Sequence, residues 1–186
     1  MQTAEPFLRL RHAHSLDYDR VLAVTDGWWG GRAVHSRLSH VYFSHFASTS
    51  FVLESDAELV GLLLGFLSQT YPDEAYIHVV GVHPDYRRLG LGRRLYERFL
   101  IAARMHGRDW VRSIALPDDR VSIAFHRSLG FEPLRGDVVI DGVPVWLDYA
   151  GEGGHRVVFR RKAAGPAVVV PGGRAGQADV PPALTA

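Results

Sequence analysis

Residues 86–95 read YRRLGLGRRL, a Gly-x-Gly step set among four arginines. Glycine at positions 90 and 92 lets backbone amides come close to an anion. The first amides of a following helix lack intrahelical partners, and the helix dipole adds a favourable field. Arg87, Arg88, Arg93 and Arg94 are placed to screen a diphosphate. The same residues would also make a plain turn with a solvated arginine face. Two nucleotide fingerprints are excluded: the third glycine of a dinucleotide-binding turn would fall on Leu95, and no Gly-Lys-Ser/Thr follows for a Walker loop. His78 and His126 are the residues whose type suits proton transfer near neutral pH. His78 lies four residues before Val82, so an unbroken strand would turn both, with Val80, to one face.

These residues need a scaffold. FLRLRHAH alternates as a first strand, and Asp17 is placed to cap a helix through YDRVLAV that DGWWGGR interrupts. AVHSRLSHVYFSHF puts Val34, Leu38, Val41 and Tyr42 at helical spacing ahead of the strand SFVLE. The turn SDAE leads into LVGLLLGFLSQ, which like AYIHVVGV is apolar on both faces, as strands covered by helices on each side are. Leu91, Leu95, Phe99, Ala102 and Ala103 predict a helix of about four turns opening from the glycine loop. DWVRSIAL reads as a strand, PDDR as a cap region, and Val121, Ala124, Phe125 and Leu129 as a short helix ending at Gly130. VVIDGVPVWLDY and HRVVFRRK close a domain of residues 1–162 as antiparallel strands. The Pro/Gly/Ala composition of residues 163–186 predicts a disordered tail.

With the motifs in order, VVGVHPDYRRLGLGRRLYE resembles the acyl-CoA-binding motif of the GNAT superfamily of N-acetyltransferases. DRVSIAFHRSLGF resembles that family's later helix, and the similarity spans roughly residues 7 to 162. The resemblance implies an α/β (α+β) fold, a mixed and mostly antiparallel sheet with splayed middle strands and helices on both faces. It implies acetyl-CoA as cofactor, with the backbone of Val80 and Val82 holding the pantetheine arm and the amides of Arg87, Arg88, Leu89, Gly90, Leu91 and Gly92 holding the diphosphate. Asp119 and Ser122 become cofactor contacts, with helix capping the alternative for Asp119. By the same resemblance His78 stands where a Glu or His base takes the amine's proton. His126 stands where most members have the tyrosine that protonates the departing sulfur. Either histidine could instead be structural.

The acceptor wall implied by the family is the helical segment before the second strand, which holds Trp28, Trp29, Arg32, Tyr42, Phe43 and His45. Neighbouring tryptophans cannot both face a core from one helix, so one of the pair belongs to a pocket or to solvent. The expected acceptor is a primary amine on a small molecule; a protein lysine or N-terminal amine, or a non-catalytic acyl-CoA sensor, are the alternatives. Twenty-one Lys+Arg against 20 Asp+Glu give a net charge of +1, which argues against nucleic acid as partner. The absence of cysteine removes thiolate nucleophiles and zinc-thiolate sites and, with the lack of an apolar leader or membrane-length run, predicts a cytoplasmic protein with no metal. A homodimer is the expected assembly if the aromatics form an interface.

Overall fold

Period-2 stretches and two-sided apolar runs become the strands of one sheet, and the period-3.6 stretches pack on its faces. The computed structural model describes residues 7–29 and 37–163. In chain order the elements are β1 (Leu8–His12), α1 (Asp17–Trp28), α2 (Val41–Ser44), β2 (Phe51–Ser55), β3 (Glu58–Leu67), β4 (Glu74–Val82) and α3 (Leu91–Met105). Then come β5 (Trp110–Ala115), α4 (Arg120–Ser128), β6 (Glu132–Pro133), β7 (Val138–Ile140), β8 (Val143–Val145) and β9 (Val157–Lys162). Seven strands form a sheet in the order β1-β2-β3-β4-β5-β9-β6, while β7 and β8 make a separate hairpin. Among the described residues only β4 and β5 pair in parallel; the other pairs of the sheet are antiparallel.

Helices cover both faces, as the family resemblance implies. Leu95, Tyr96 and Phe99 of α3 and Ile123 of α4 join Phe51, Ile77 and Phe159 in one core; Val21, Trp28 and Phe43 join Val52, Leu62 and Val79 in a second core on the opposite face. Burial of these side chains supplies the main driving force for the layered arrangement.

Several local expectations change. Helix α1 runs through Asp26 and Gly27 to Trp28 rather than stopping before DGWW. Asp17 does not cap it. Its fully buried carboxylate instead accepts from Arg11 (2.7 Å), Arg20 (3.1 Å) and the His14 amide (3.0 Å). The long second helix shrinks to one turn, Val41–Ser44, because Phe43 and Leu38 find their core without a continuous helix; Val34 lies outside the described residues. The PDDR cap is as read: Asp119 accepts from the Ser122 amide (2.9 Å), and Gly130 at φ 76° ends α4. Ala163, placed with the tail by composition, belongs to the domain, since it is buried and donates its amide to the Asp109 carbonyl (2.8 Å). The rest of the expected tail lies outside the described residues.

Candidate active site

Strand β4 pairs with β5 only from Glu74 to Tyr76. Beyond that point β4 continues to Val82 and β5 to Ala115 without pairing, so the sheet opens between them. On its other edge β4 remains bonded to β3. The amide of His83 donates to Val60 (2.9 Å), and the alternation of antiparallel pairs then makes Gly81 and Val79 the bonded residues on that edge. Val80 and Val82 therefore turn their N–H and C=O groups away from β3, and of these the Val82 carbonyl already accepts from Arg87. An extended chain with amide groups could complete that strand edge.

The end of β4 runs into the arginine-glycine loop. Gly90 has φ 78°, a conformation that disfavours any side chain, and α3 begins at the next residue. A Cβ on Gly92 would stand 3.1 Å from the Phe125 ring, so this glycine lets α3 approach α4. Among the described residues, the amides of Arg88, Leu89, Gly90, Leu91, Gly92 and Arg93 have no backbone partner. Those amides provide anion-binding capacity at one loop. The side chain of Arg87, expected to screen charge, is committed elsewhere, because its guanidinium donates to the carbonyls of Val82 and Trp28. It ties the end of β4 to the end of α1.

Where the sheet opens, a cavity of about 480 Å³ is lined by Trp29, His78, Val80, Ser113, Asp119, Ser122 and His126, among others. His78 occupies a bulge. Leu64 faces Val79 and Gly65 faces Ile77, which leaves His78 as the extra residue. The bulge overturns the unbroken alternation expected for this strand, and His78 stacks on Tyr42 of α2 (4.7 Å between centroids, 9° between planes) instead of sharing the face of Val80 and Val82. Its Nε2 lies 2.9 Å from the Arg37 carbonyl, which can only accept, so Nε2 carries the hydrogen and Nδ1 is the basic nitrogen. Burial lowers the imidazole pKa below its ordinary value.

His126 forms the other wall and is fully buried. Its Nδ1 donates to the Ser122 carbonyl (2.8 Å), and its Nε2 lies 2.9 Å from Tyr96 Oη and 3.0 Å from Ser113 Oγ. The ring stacks on Phe159 (4.7 Å, 9°). Burial again lowers the imidazole pKa. The imidazolium form of His126 is thus disfavoured, and burial also raises the Tyr96 phenol. Tyr96 and Ser113 had no motif to mark them, since they belong to different elements and meet only in the core.

The expected acceptor residues separate. Trp29 lines the cavity and packs on Gly81, where a Cβ would come within 2.2 Å of its ring. Trp28 is a core residue, 4% exposed, and Phe43 is buried among Tyr18 and its neighbours, so neither is an acceptor wall. His45 is exposed and borders a different, smaller hollow with Phe46 and Arg108. Arg32 lies outside the described residues. Asp119 and Ser122 do line the cavity.

The comparison that decides the family is a match to "Acetyltransferase (GNAT) family" over residues 11–131. The chain belongs to that family. It is 41% identical over 68 residues to mycothiol acetyltransferase of Thermobifida fusca, a stretch covering 37% of this chain and 21% of that protein. It is 30% identical over 96 residues to L-2,4-diaminobutyric acid acetyltransferase of Nocardia farcinica, covering 50% of each. The chain thus spans half or less of the length of these curated relatives. Among solved structures, diaminobutyrate acetyltransferase of Paenibacillus lautus, in complex with its substrate and coenzyme A, superimposes with a TM-score of 0.60 at 16% identity. That likeness covers 84% of this chain and 95% of that one, and it shows the shared fold.

Proposed function

We propose that this chain transfers an acetyl group from acetyl-CoA to a primary amine of a small molecule. The observation that carries the proposal is the opened sheet: Val80 of the unpaired β4 edge and two histidine-bearing walls line one cavity, and β4 runs on into a loop whose amides at Arg88–Gly92 have no backbone partner. The family supports acetyl-CoA as the donor, and the names of the curated relatives support small-molecule acceptors.

The residues present fit the cofactor. Val80 and Val82 would pair with the amides of its pantetheine arm, and the loop amides with Arg88, Arg93 or Arg94 would hold its diphosphate. Acetyl-CoA supplies an activated thioester carbonyl. His78, neutral and with Nδ1 free among the described residues, takes the proton of the attacking amine, directly or through water. At the opposite wall His126 keeps its Nδ1–H on the Ser122 carbonyl and accepts at Nε2 from the neighbouring hydroxyl of Tyr96 or Ser113; the departing sulfur, a weak base, leaves as thiolate and takes its proton from water. Trp29 bounds the acceptor. A cytoplasmic location and self-association belong to the same reading; the exposed Val138, Val139 and Ile140 of the β7–β8 hairpin support the latter. Among the described residues no helix is long and apolar enough to cross a membrane.

Release of free thiol from acetyl-CoA, followed over a panel of small amines, tests the proposal, with thermal stabilisation by coenzyme A measured alongside. Stabilisation and amine-dependent thiol release are expected. Stabilisation with no release on any small amine would overturn the catalytic part, and release only on peptide amines would transfer it to a protein acceptor.

A further inference from the structure

Helix α1 ends at Trp28 without a cap of its own. Its last turn carries no basic residue, and Trp29, the residue after it, sits at φ -109° rather than in the left-handed conformation that closes many helices. The last carbonyls of a helix need donors from elsewhere, and its C-terminal end favours a positive charge. Arg87 brings both to Trp28. Its Nη2 donates to the Trp28 carbonyl from a position 59 residues further along the chain, and its Nε donates to the Val82 carbonyl at 3.2 Å. One planar guanidinium thus bridges the last residue of α1 and the last residue of β4.

The residue carried on that joint is Trp29. Its ring lies over Gly81, where a Cβ would come within 2.2 Å of it and within 3.2 Å of the Trp28 ring. Trp28 in turn meets His83 edge-on (5.8 Å between centroids, 81° between planes), so the end of β4 and the residue after it pack against the same tryptophan pair. Half-buried Trp29 lines the cavity with His78, Val79 and Val80. Because Trp29 directly follows the helix, the place of its ring depends on how the end of α1 is held. The edge of the Arg87 side chain formed by Nε and Nη2, a fork that suits an oxyanion, is already committed to the two carbonyls.

We infer that Arg87 is a positioning residue for the acceptor wall: by holding the end of α1 on β4 it seats Trp29 over Gly81, and it sets acceptor affinity rather than the grip on the diphosphate. This rests on the acetyltransferase reading, in which Trp29 bounds the acceptor. A loop that belongs to the cofactor by its amides thereby reaches the acceptor through one side chain.

The test labels the full chain with fluorotryptophan and follows its four tryptophan signals by fluorine NMR, with Trp29→Phe assigning the Trp29 signal. Arg87 is exposed, so its replacement leaves no buried charge behind. Arg87→Ala should move or broaden the Trp29 signal and leave those of Trp110 and Trp146 in place. Arg87→Lys, which keeps a cation able to donate to one carbonyl, should restore part of the native signal. Coenzyme A affinity, titrated on the same proteins, should change by less than about threefold, whereas loss of a guanidinium holding a phosphate costs about tenfold or more. For the amines that support thiol release, Arg87→Ala should raise the amine KM by about fivefold and add little in the Trp29→Ala background, because a residue that acts through another is not additive with it. An unmoved Trp29 signal in Arg87→Ala overturns the inference. So does a loss of coenzyme A affinity of about tenfold, which would assign the side chain to the diphosphate, and so do effects of Arg87→Ala and Trp29→Ala on the amine KM that simply multiply. Wild-type protein that binds no coenzyme A would count against the acetyltransferase reading instead, and the Trp29 signal would still decide whether Arg87 seats that ring.

Discussion

His78 combines three features that favour a base: Nε2–H fixed on the Arg37 carbonyl, a ring clamped on Tyr42, and a pKa lowered by burial. A neutral imidazole is therefore ready at neutral pH. His78→Ala should lower kcat on the order of a hundredfold, the scale for losing a positioned base, and leave the KM of acetyl-CoA nearly unchanged. The acidic limb of the pH profile should fall below 6.5 and vanish in the variant. For His126 the sign of the linkage is informative. Its folded pKa is below the unfolded value of 6.5, so the unfolded chain binds more protons as pH falls through that range. Stability is then complete above 6.5 and declines below it. Thermal scans between about pH 7 and 5 should show a shallower decline for His126→Phe than for the wild type. His126→Tyr should retain more kcat than His126→Phe if a proton donor is needed at this wall, and equal activity in the two would assign His126 to packing alone.

At the scale of elements, the two tryptophans at the end of α1 divide the work of that helix. Trp28 belongs to the core beside Val21 and Phe43, so Trp28→Ala should destabilise by about 3–5 kcal/mol in a denaturant titration. Trp29 faces the cavity over Gly81, and Trp29→Ala should act mainly on the acceptor's KM. The buried cluster that joins β1, β2 and α1 through Arg11, Asp17, Arg20 and Glu54 makes a second prediction. Burial alone would raise the Asp17 carboxyl, but the Arg11 hydrogen bonds and the His14 amide bring it below its ordinary value. Its stabilisation is present above about pH 4 and lost as pH falls through that range. Asp17→Ala should cost about 3–5 kcal/mol, because two guanidinium groups lose a buried partner. In the loop, Gly90→Ala should cost on the order of 1 kcal/mol through its left-handed φ, with open space around the new Cβ. Gly90→Asp should also abolish stabilisation by coenzyme A, since a carboxylate would then face the diphosphate; an undiminished shift would remove the loop from the site.

For the whole molecule, the decisive feature is the divergence of β4 and β5, which places Val80 of the β4 edge, Tyr96 of α3 and both histidines around one opening. Opening a sheet at its middle leaves two facing strand edges without each other as partners, an arrangement that favours an extended, amide-bearing ligand. Removal of residues 164–186 should leave both melting temperature and activity unchanged. The chain at Ala163 is anchored to Asp109, and the composition beyond it cannot build a core. Lost activity in a folded truncation would give the tail a role in the site.

The sequence by itself determined what local chemistry encodes. The apolar runs marked β3 and β4, the spacing of Leu91, Leu95 and Phe99 marked α3, and the glycine loop between strand and helix marked the end of the site proposed to hold the diphosphate. Those signals are local because backbone hydrogen bonding and one-sided burial repeat within a few residues. Tertiary structure decided the rest. The bulge at His78 depends on the registers of β3 and β4, so no alternation within one strand could show where the ring points. Only packing could show that Phe43 and Trp28 fill a core while Trp29 does not. The partners of His126, namely Tyr96, Ser113 and Phe159, come from α3, β5 and β9. Long-range pairing brings such groups together, and it is specified by the fold's summed burial rather than by any short stretch of residues.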